Sequence, residues 1–425
     1  MPMLDAQPSA PRLMFRPRPW MPCAAFVAAL SLPLLQSSLS LVPENSLGGV
    51  STPLSPCEPG IESWNDGSVQ LWIEARIRRE IGLRGWMARA DNELRLRAFG
   101  SAKRPVVAGA DGWLLEDGYL PTNMIARSEE LALQIITRAH NFHRLQVGLE
   151  ERGVQLAALI SPSKAWTYPE RMPWPHDAAM RAMAERITYP EALRASLEIA
   201  GARTFDLGKL FREWKRTDPA GSPPLFPHGG IHWSNHASAR AAIHVLQGME
   251  SSAGVNFPAL ELKTIENGKD VGGSEDDLVR LANLLDTSRW NGAIAQPSLK
   301  TTEGGRVPSV PILIVGSSFS WELARHCATD GCAQPVTIWY YFLTERRVEG
   351  ETWTEGRPVD KSPDRLREVM LAQKVILVEC NESAAESFGM GFLEAALEAI
   401  GIEPVSAPPP DFLARVQDRI LESRR

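Results

Sequence analysis

Apolar residues follow two alternating patterns along this chain. Short runs such as Val154 to Ile160, Val310 to Val315, Val336 to Leu343 and Val375 to Glu379 have the length and β-branched content of buried strands. Ala202 to Leu207 reads as a further strand, ending beside Asp206. Between these runs, apolar residues fall three and four apart and predict helices. These cover Ser128 to about Glu151, His176 to Ile187, Pro190 to Ile199, a segment opening at Ser234, Phe319 to Cys327 and Glu382 to Ile400. Ser128 is a capping residue with Glu129 and Glu130 in the first turn behind it, and Ser362-Pro363 opens another helix. A terminal helix follows Pro410. Strand–helix alternation of this kind predicts an α/β fold, a mostly parallel sheet flanked by helices on both faces.

Upstream, Ile61 to Leu96 carries Trp72, Ile73, Ile77, Ile81, Leu83 and Trp86 at helical spacing, and Gly109 to Leu115 reads as a turn entering a short strand. Glu261 to Asn291 reads as part of an insertion with one helix, Asp276 to Leu285, capped by Ser274. At the N-terminus, Arg12, Arg16 and Arg18 precede an uncharged run from Pro19 to Pro43. That order is the signature of a signal peptide or a signal anchor with its N-terminus inside. We read it as an uncleaved single-pass anchor in the cytoplasmic membrane, with the remainder periplasmic or otherwise extracytoplasmic. The expected organisation is a cytoplasmic N-terminus (1–18), the anchor or signal (19–43), a linker (44–60), an α/β domain (61–403, with an insertion at about 255–305) and a C-terminal helix (404–425).

Composition narrows the function. Apolar residues make up 44% and charged residues 23% of 425, an ordinary globular balance, and the net charge of −6 comes without a basic stripe, which argues against nucleic-acid binding. Five cysteines are few for a disulfide scaffold; Cys327 and Cys332 are spaced to close a small loop. No Cys/His spacing resembles a zinc site.

Two stretches carry candidate chemistry. In the first, the strand Val310 to Val315 breaks at Gly316-Ser317-Ser318 and a helix resumes at Phe319. Such a turn sits at the carboxyl edge of a sheet, with backbone N–H groups and the positive end of a helix pointing outward. It is either a tight turn or a place where a serine hydroxyl attacks a carbonyl and nearby N–H groups hold the oxyanion. In the second, His232 lies two residues before the helix cap Ser234, on a loop rather than an apolar stripe. Imidazole there can take a proton from serine and return it to a leaving group.

Gly109-Ala110-Asp111-Gly112-Trp113-Leu114-Leu115, Pro162-Ser163-Lys164, Ile231-His232-Trp233-Ser234 and Gly316-Ser317-Ser318-Phe319-Ser320 occur in that order. Val375 to Glu382 adds a weaker fifth match. With them the chain resembles the SGNH-hydrolase-like family of alginate O-acetyltransferases, of the AlgJ and AlgX type. The resemblance implies an SGNH-like α/β domain that acetylates an extracytoplasmic polysaccharide through an acetyl-serine, with no cofactor and no metal. It also implies an acetyl donor supplied by a membrane-bound O-acyltransferase. Carried over by residue, Ser318 is the nucleophile and His232 its base; Gly316, Ser317 and Tyr341 support the turn or the oxyanion. Tyr340 and Tyr341 read equally as core aromatics. Lys164, Trp233 and Trp321 are candidate substrate contacts, Lys164 reading equally as a solvated loop lysine. The family often has Asp-x-His-Trp; here Gly230 stands in the aspartate's place. Asp206 is one candidate for the missing acid. The rival functions are an SGNH-type carbohydrate esterase and a non-catalytic polysaccharide-binding scaffold of an export complex.

Overall fold

The computed structural model describes residues 20–424 except 45, 50–56, 103–104, 126–127, 183–185, 267–274, 291–294, 303–309 and 350–351. The expected cytoplasmic segment and the cap at Ser274 lie outside the described residues. The chain forms two compact units, Met1–Asp91 and Asn92–Arg425.

In the first unit, α1 (Met21–Leu39) has no charged residue and is long and apolar enough to cross a membrane. Pro33 lies inside it, and Gln36 near its end holds the chain reversal by bonding both the N–H and the C=O of Val42. The helical spacing after Ile61 resolves into α2 (Ile61–Asn65), α3 (Ser68–Glu80) and α4 (Arg84–Phe99). The breaks fall at Gly67 and Leu83, whose φ values of 84° and 61° no helix can accommodate.

The second unit opens at Asn92 within α4 and continues with a hairpin, β1 (Val106–Ala108) and β2 (Leu114–Glu116). Then follow α5 (Glu129–Glu150), β3 (Gln155–Ser161), α6 (Lys164–Thr167), α7 (Trp174–Ala182), α8 (Tyr189–Ala200), β4 (Thr204–Asp206), α9 (Leu207–Thr217) and α10 (Asn235–Ala253). As the sequence predicts, Ser128 caps α5 through the Leu131 N–H, and Ser234 caps α10 through the Ala237 N–H. The insertion contains β5 (Leu260–Glu266), α11 (Asp277–Ala282) and β6 (Ala295–Thr301), with β5 and β6 paired antiparallel. The rest is β7 (Ile312–Gly316), α12 (Ser320–Cys327), β8 (Val336–Tyr340), β9 (Thr344–Glu349), β10 (Thr352–Trp353), β11 (Arg357–Pro358), α13 (Pro363–Leu371), β12 (Val375–Asn381), α14 (Phe392–Ala399) and α15 (Pro410–Ser423).

The main sheet runs β10-β9-β8-β7-β12-β3-β4, with β11 pairing β9 along the same edge as β10. From β8 to β4 every pairing is parallel, and β9 returns antiparallel. Alternation along each strand feeds two cores. Leu156, Ala158, Ile160, Val315 and Val378 face α5, α8, α14 and α15, whereas Ala157, Leu159, Ile314, Ile338 and Leu377 face α9, α10 and α12. Each fully buried Leu or Ile contributes about 1.5–3 kcal/mol.

Three elements differ from the sequence expectation. The run to Leu343 stops at Tyr340, because Tyr341 and Phe342 take φ values of 49° and 55° and turn the chain back as β9. The helix expected from Glu382 to Ile400 is split: a short 3-10 segment ends at Ser387, and the left-handed Gly389, Met390 and Gly391 precede α14. The C-terminal helix is part of the second unit, burying Phe412, Val416 and Ile420 in the core beside α5 and α8. Cys327 and Cys332 are free, buried thiols, so no disulfide closes their loop.

Candidate active site

The parallel strands end together at one edge of the sheet. Gly316 closes β7 beside Tyr340 of β8, and Val378↔Val315 pairing sets Glu379 level with Gly316. The turn that follows is built around the Glu379 carboxylate, which is fully buried. It accepts from the Ser317 N–H (2.6 Å), the Ser161 hydroxyl (2.5 Å) and the Ser320 hydroxyl (3.1 Å). Burial raises its pKa, and these donors oppose the rise. Gly316 is required by this packing: a Cβ there would run into the Ser320 hydroxyl and lie 2.7 Å from Glu379 Oε2. Gly316 and Ser317 therefore support the turn. The Ser317 N–H is spent on Glu379 and is not free for an oxyanion. Ser318 is left half-buried at the top, with no acceptor on its N–H among the described residues.

Tyr341 arrives from the β8–β9 turn, where its N–H donates to the Gly316 carbonyl (2.8 Å). Its left-handed backbone is costly for an aromatic residue and holds the phenol over the turn. The hydroxyl lies near the Ser318 side chain, and burial pushes its pKa up to about 12, so it remains a proton donor near neutrality.

His232 stands on the loop before α10, its ring 4.7 Å from that of Phe319. Its Nε2 lies 2.7 Å from the Ser318 hydroxyl. Its Nδ1 lies 2.5 Å from Oδ2 of Asp277, the first residue of α11. The other carboxylate oxygen accepts the Ile231 N–H (2.7 Å), and the Val279 N–H donates to the Gly229 carbonyl (3.0 Å). The first turn of α11 is thus docked on the histidine loop by backbone groups at both ends. Gly229 permits the approach, since a Cβ there would lie 2.5 Å from Val279 Cγ2. Asp277 thus brings a carboxylate to Nδ1, where Gly230 has no side chain to offer. Nothing local in the sequence ties it to His232; its only trace is the acidic run Glu275-Asp276-Asp277 opening a helix, which reads first as ordinary helix-start chemistry.

Asp206, the acid weighed from sequence, is engaged elsewhere. It pairs with Arg194 (2.7 Å) and caps α9 through the Lys209 N–H (2.9 Å). Arg194 also pairs with the buried Glu382, which accepts from Arg212 (2.9 Å) and the Ser163 N–H (2.8 Å).

Two expected substrate contacts are corrected. Lys164 is 2% exposed, and its ammonium donates to the carbonyls of Leu114 (2.7 Å), His228 (2.9 Å) and Gly230 (2.7 Å). Burial pulls its pKa down to about 7, yet all three protons have acceptors. Lys164 therefore fastens the β1–β2 hairpin to the histidine loop. Trp233 is fully buried, stacked on Phe211 and edge-on to Phe319, and meets no solvent. Trp321 is half-exposed, beside Tyr340 and Trp353.

Further carboxylates surround the histidine. Glu275 is 4% exposed and accepts the Asn235 N–H at the start of α10 (2.8 Å), yet burial, with Glu322 and Asp277 nearby, raises it to about 7. Glu116 and Glu322 are also raised by burial. Serine, imidazole and carboxylate in line, with a free N–H and a phenol beside the serine, is an arrangement suited to acyl transfer.

Comparison with known proteins finds similar solved structures and a matching family. Solved structures similar to the chain include the O-acetyltransferase domain of Pseudomonas putida AlgJ (16% identity, TM-score 0.45, covering 74% of this chain and 99% of that one). Pseudomonas aeruginosa AlgX (15%, 0.42, 72% and 69%) and Bacillus cereus PatB1 (10%, 0.42, 67% and 98%) are also similar. No curated protein matches in sequence. The family model described as "SGNH hydrolase-like domain, acetyltransferase AlgX" matches residues 106–326, just over half of the chain and the stretch that holds Lys164, His232, Asp277 and Ser318. The chain belongs to that family: its second unit is an SGNH-hydrolase-like acetyltransferase domain.

Proposed function

We propose that this protein O-acetylates an extracytoplasmic polysaccharide, of the exopolysaccharide or alginate type, through an acetyl-serine at Ser318. The observation that carries the proposal is the unbroken line of contacts from the Ser318 hydroxyl through His232 to Asp277. With Asp277 on Nδ1, the imidazole keeps its proton there and offers Nε2 as base. The Ser318 oxygen attacks the acetyl carbonyl while Nε2 takes its proton. The oxyanion is held by the Ser318 N–H and the Tyr341 hydroxyl, and the donor's leaving group departs with the proton returned by His232. In the second half, His232 deprotonates a sugar hydroxyl, which attacks the acetyl-serine. Collapse releases the acetylated sugar, and Ser318 recovers its proton. The donor is supplied by a membrane-bound O-acyltransferase, and α1 keeps the domain at the outer side of the cytoplasmic membrane. The scaffold alternative rested on the glycine at position 230, and Asp277 removes that support.

The test is incubation of the protein with a small acetyl ester, with and without a glycan acceptor. Transfer of acetyl to the glycan, abolished in Ser318→Ala and His232→Ala, is expected. Free acetate as the sole product in both arms would make the protein an esterase. Full polysaccharide acetylation in cells carrying either variant would make it a scaffold.

A further inference from the structure

Four aromatic rings touch in series from the nucleophile outward. Tyr341, with its hydroxyl near Ser318, lies edge-on to Tyr340 with ring centroids 4.6 Å apart. Tyr340 is tilted against Trp321 at 5.1 Å, and Trp321 meets Trp353 edge-on at 4.7 Å. The rings come from three separate places: the end and turn of β8, the first turn of α12, and the edge strand β10. Their neighbours in sequence are treated differently. Trp339 and Phe342 are 1% and 2% exposed, whereas Tyr341 is 36% exposed and the other three rings are half-buried. Tyr340, Trp321 and Trp353 pack against the core on one side and keep part of their surface accessible, in a row that starts at the exposed Tyr341. The Arg346 guanidinium lies over the Trp321 ring, 5.9 Å from its centroid, and adds a positive charge beside the row.

We propose that Tyr341, Tyr340, Trp321 and Trp353 form an acceptor track, on which successive sugar rings of an extended oligosaccharide lie with the acetylated unit at Ser318. This rests on the acetyltransferase reading above and deepens it: the acceptor is a polymer bound over several units, not a single sugar. The chemistry is that of carbohydrate recognition, in which the C–H faces of pyranose rings pack on aromatic faces while hydroxyl edges stay in water. The order of the row also fixes polarity of function, Tyr341 at the reacting unit and Trp353 farthest from it.

The experiment uses the full chain in detergent, p-nitrophenyl acetate as donor, and two acceptor series, cello-oligosaccharides and oligomannuronates, each from monosaccharide to hexasaccharide. The expected result is that kcat/KM for transfer, and binding read from tryptophan emission, both rise with acceptor length in at least one series. In Trp353→Ala the gain from the longest acceptors falls by about threefold to tenfold, the size of one stacking contact. Trp353→Phe, which keeps an aromatic face, retains most of that gain, which a loss of folding would not allow. Equal use of monosaccharide and hexasaccharide overturns the track and leaves the transferase standing. The binding readout needs no turnover, so length-dependent binding with acetate as the sole product keeps the track and removes the transferase. No length dependence in transfer or emission for either series overturns the proposal.

Discussion

Replacing Asp277 by asparagine isolates the step on which the catalytic reading depends. The side chain keeps its size, so α11 remains seated by the Val279 N–H on the Gly229 carbonyl. Asparagine has one acceptor where aspartate has two, and the Ile231 N–H claims it at the position of Oδ1. The amide NH2 then faces His232 Nδ1, 2.5 Å away in the parent. Nδ1 must become the acceptor, the ring proton moves to Nε2, and Nε2 donates to Ser318 instead of accepting from it. A serine triad held in this wrong tautomer loses about four orders of magnitude in kcat, about 5.5 kcal/mol of transition-state stabilisation. The assay is the p-nitrophenolate burst from p-nitrophenyl acetate, with Ser318→Ala as the floor and a urea melt to show that the fold persists. A folded Asp277→Asn protein within about tenfold of the parent rate would refute the reasoning, because tautomer control cannot be that inexpensive.

Three other outcomes follow from the geometry. Gly316→Ala forces a methyl against Ser320 and Glu379; it should cost about 1–3 kcal/mol of stability, read from the urea midpoint, and at least about a hundredfold in esterase rate. Lys164→Met leaves the carbonyls of Leu114, His228 and Gly230 without donors; a loss of about 3 kcal/mol is expected by the same melt, and an unchanged midpoint would deny Lys164 its fastening role. Glu275 titrates at about 7 in the fold against an ordinary value of 4.5, so it binds a proton in the native state that the unfolded chain has lost. Its contribution is complete below 4.5 and vanishes as pH rises through about 7. Glu275→Gln should therefore shrink the fall in stability between about pH 5 and about pH 8 by up to about 3 kcal/mol, and an identical fall in both proteins would contradict it.

The mostly parallel sheet was legible because β7, β8, β12 and β3 are buried on both faces and write continuous apolar runs, whereas the strand order was not. His232 and Ser318 were legible because each sits where a turn meets a helix start, a local pattern of small residues and caps. Asp277 was not, since its link to the histidine is a docking of backbone groups across 45 positions, within an insertion whose composition advertises only a solvated helix. Lys164 misleads for a related reason. A lysine after a Pro-containing turn looks solvated until three carbonyls from two other segments converge on it. The antiparallel return of β9 was hidden because it depends on two aromatic residues adopting left-handed backbone, which sequence propensity disfavours.

Delivery of the carboxylate by α11 has a practical consequence for how such chains are sorted and trimmed. A survey that requires an acid two places before the histidine would file this protein among inactive remnants. An engineer shortening the surface excursion between α10 and β7 would leave every sheet strand and both reactive loops untouched, and would still obtain a silent protein. Here the part that looks most dispensable on a map of the chain carries the carboxylate on which the proposed chemistry depends.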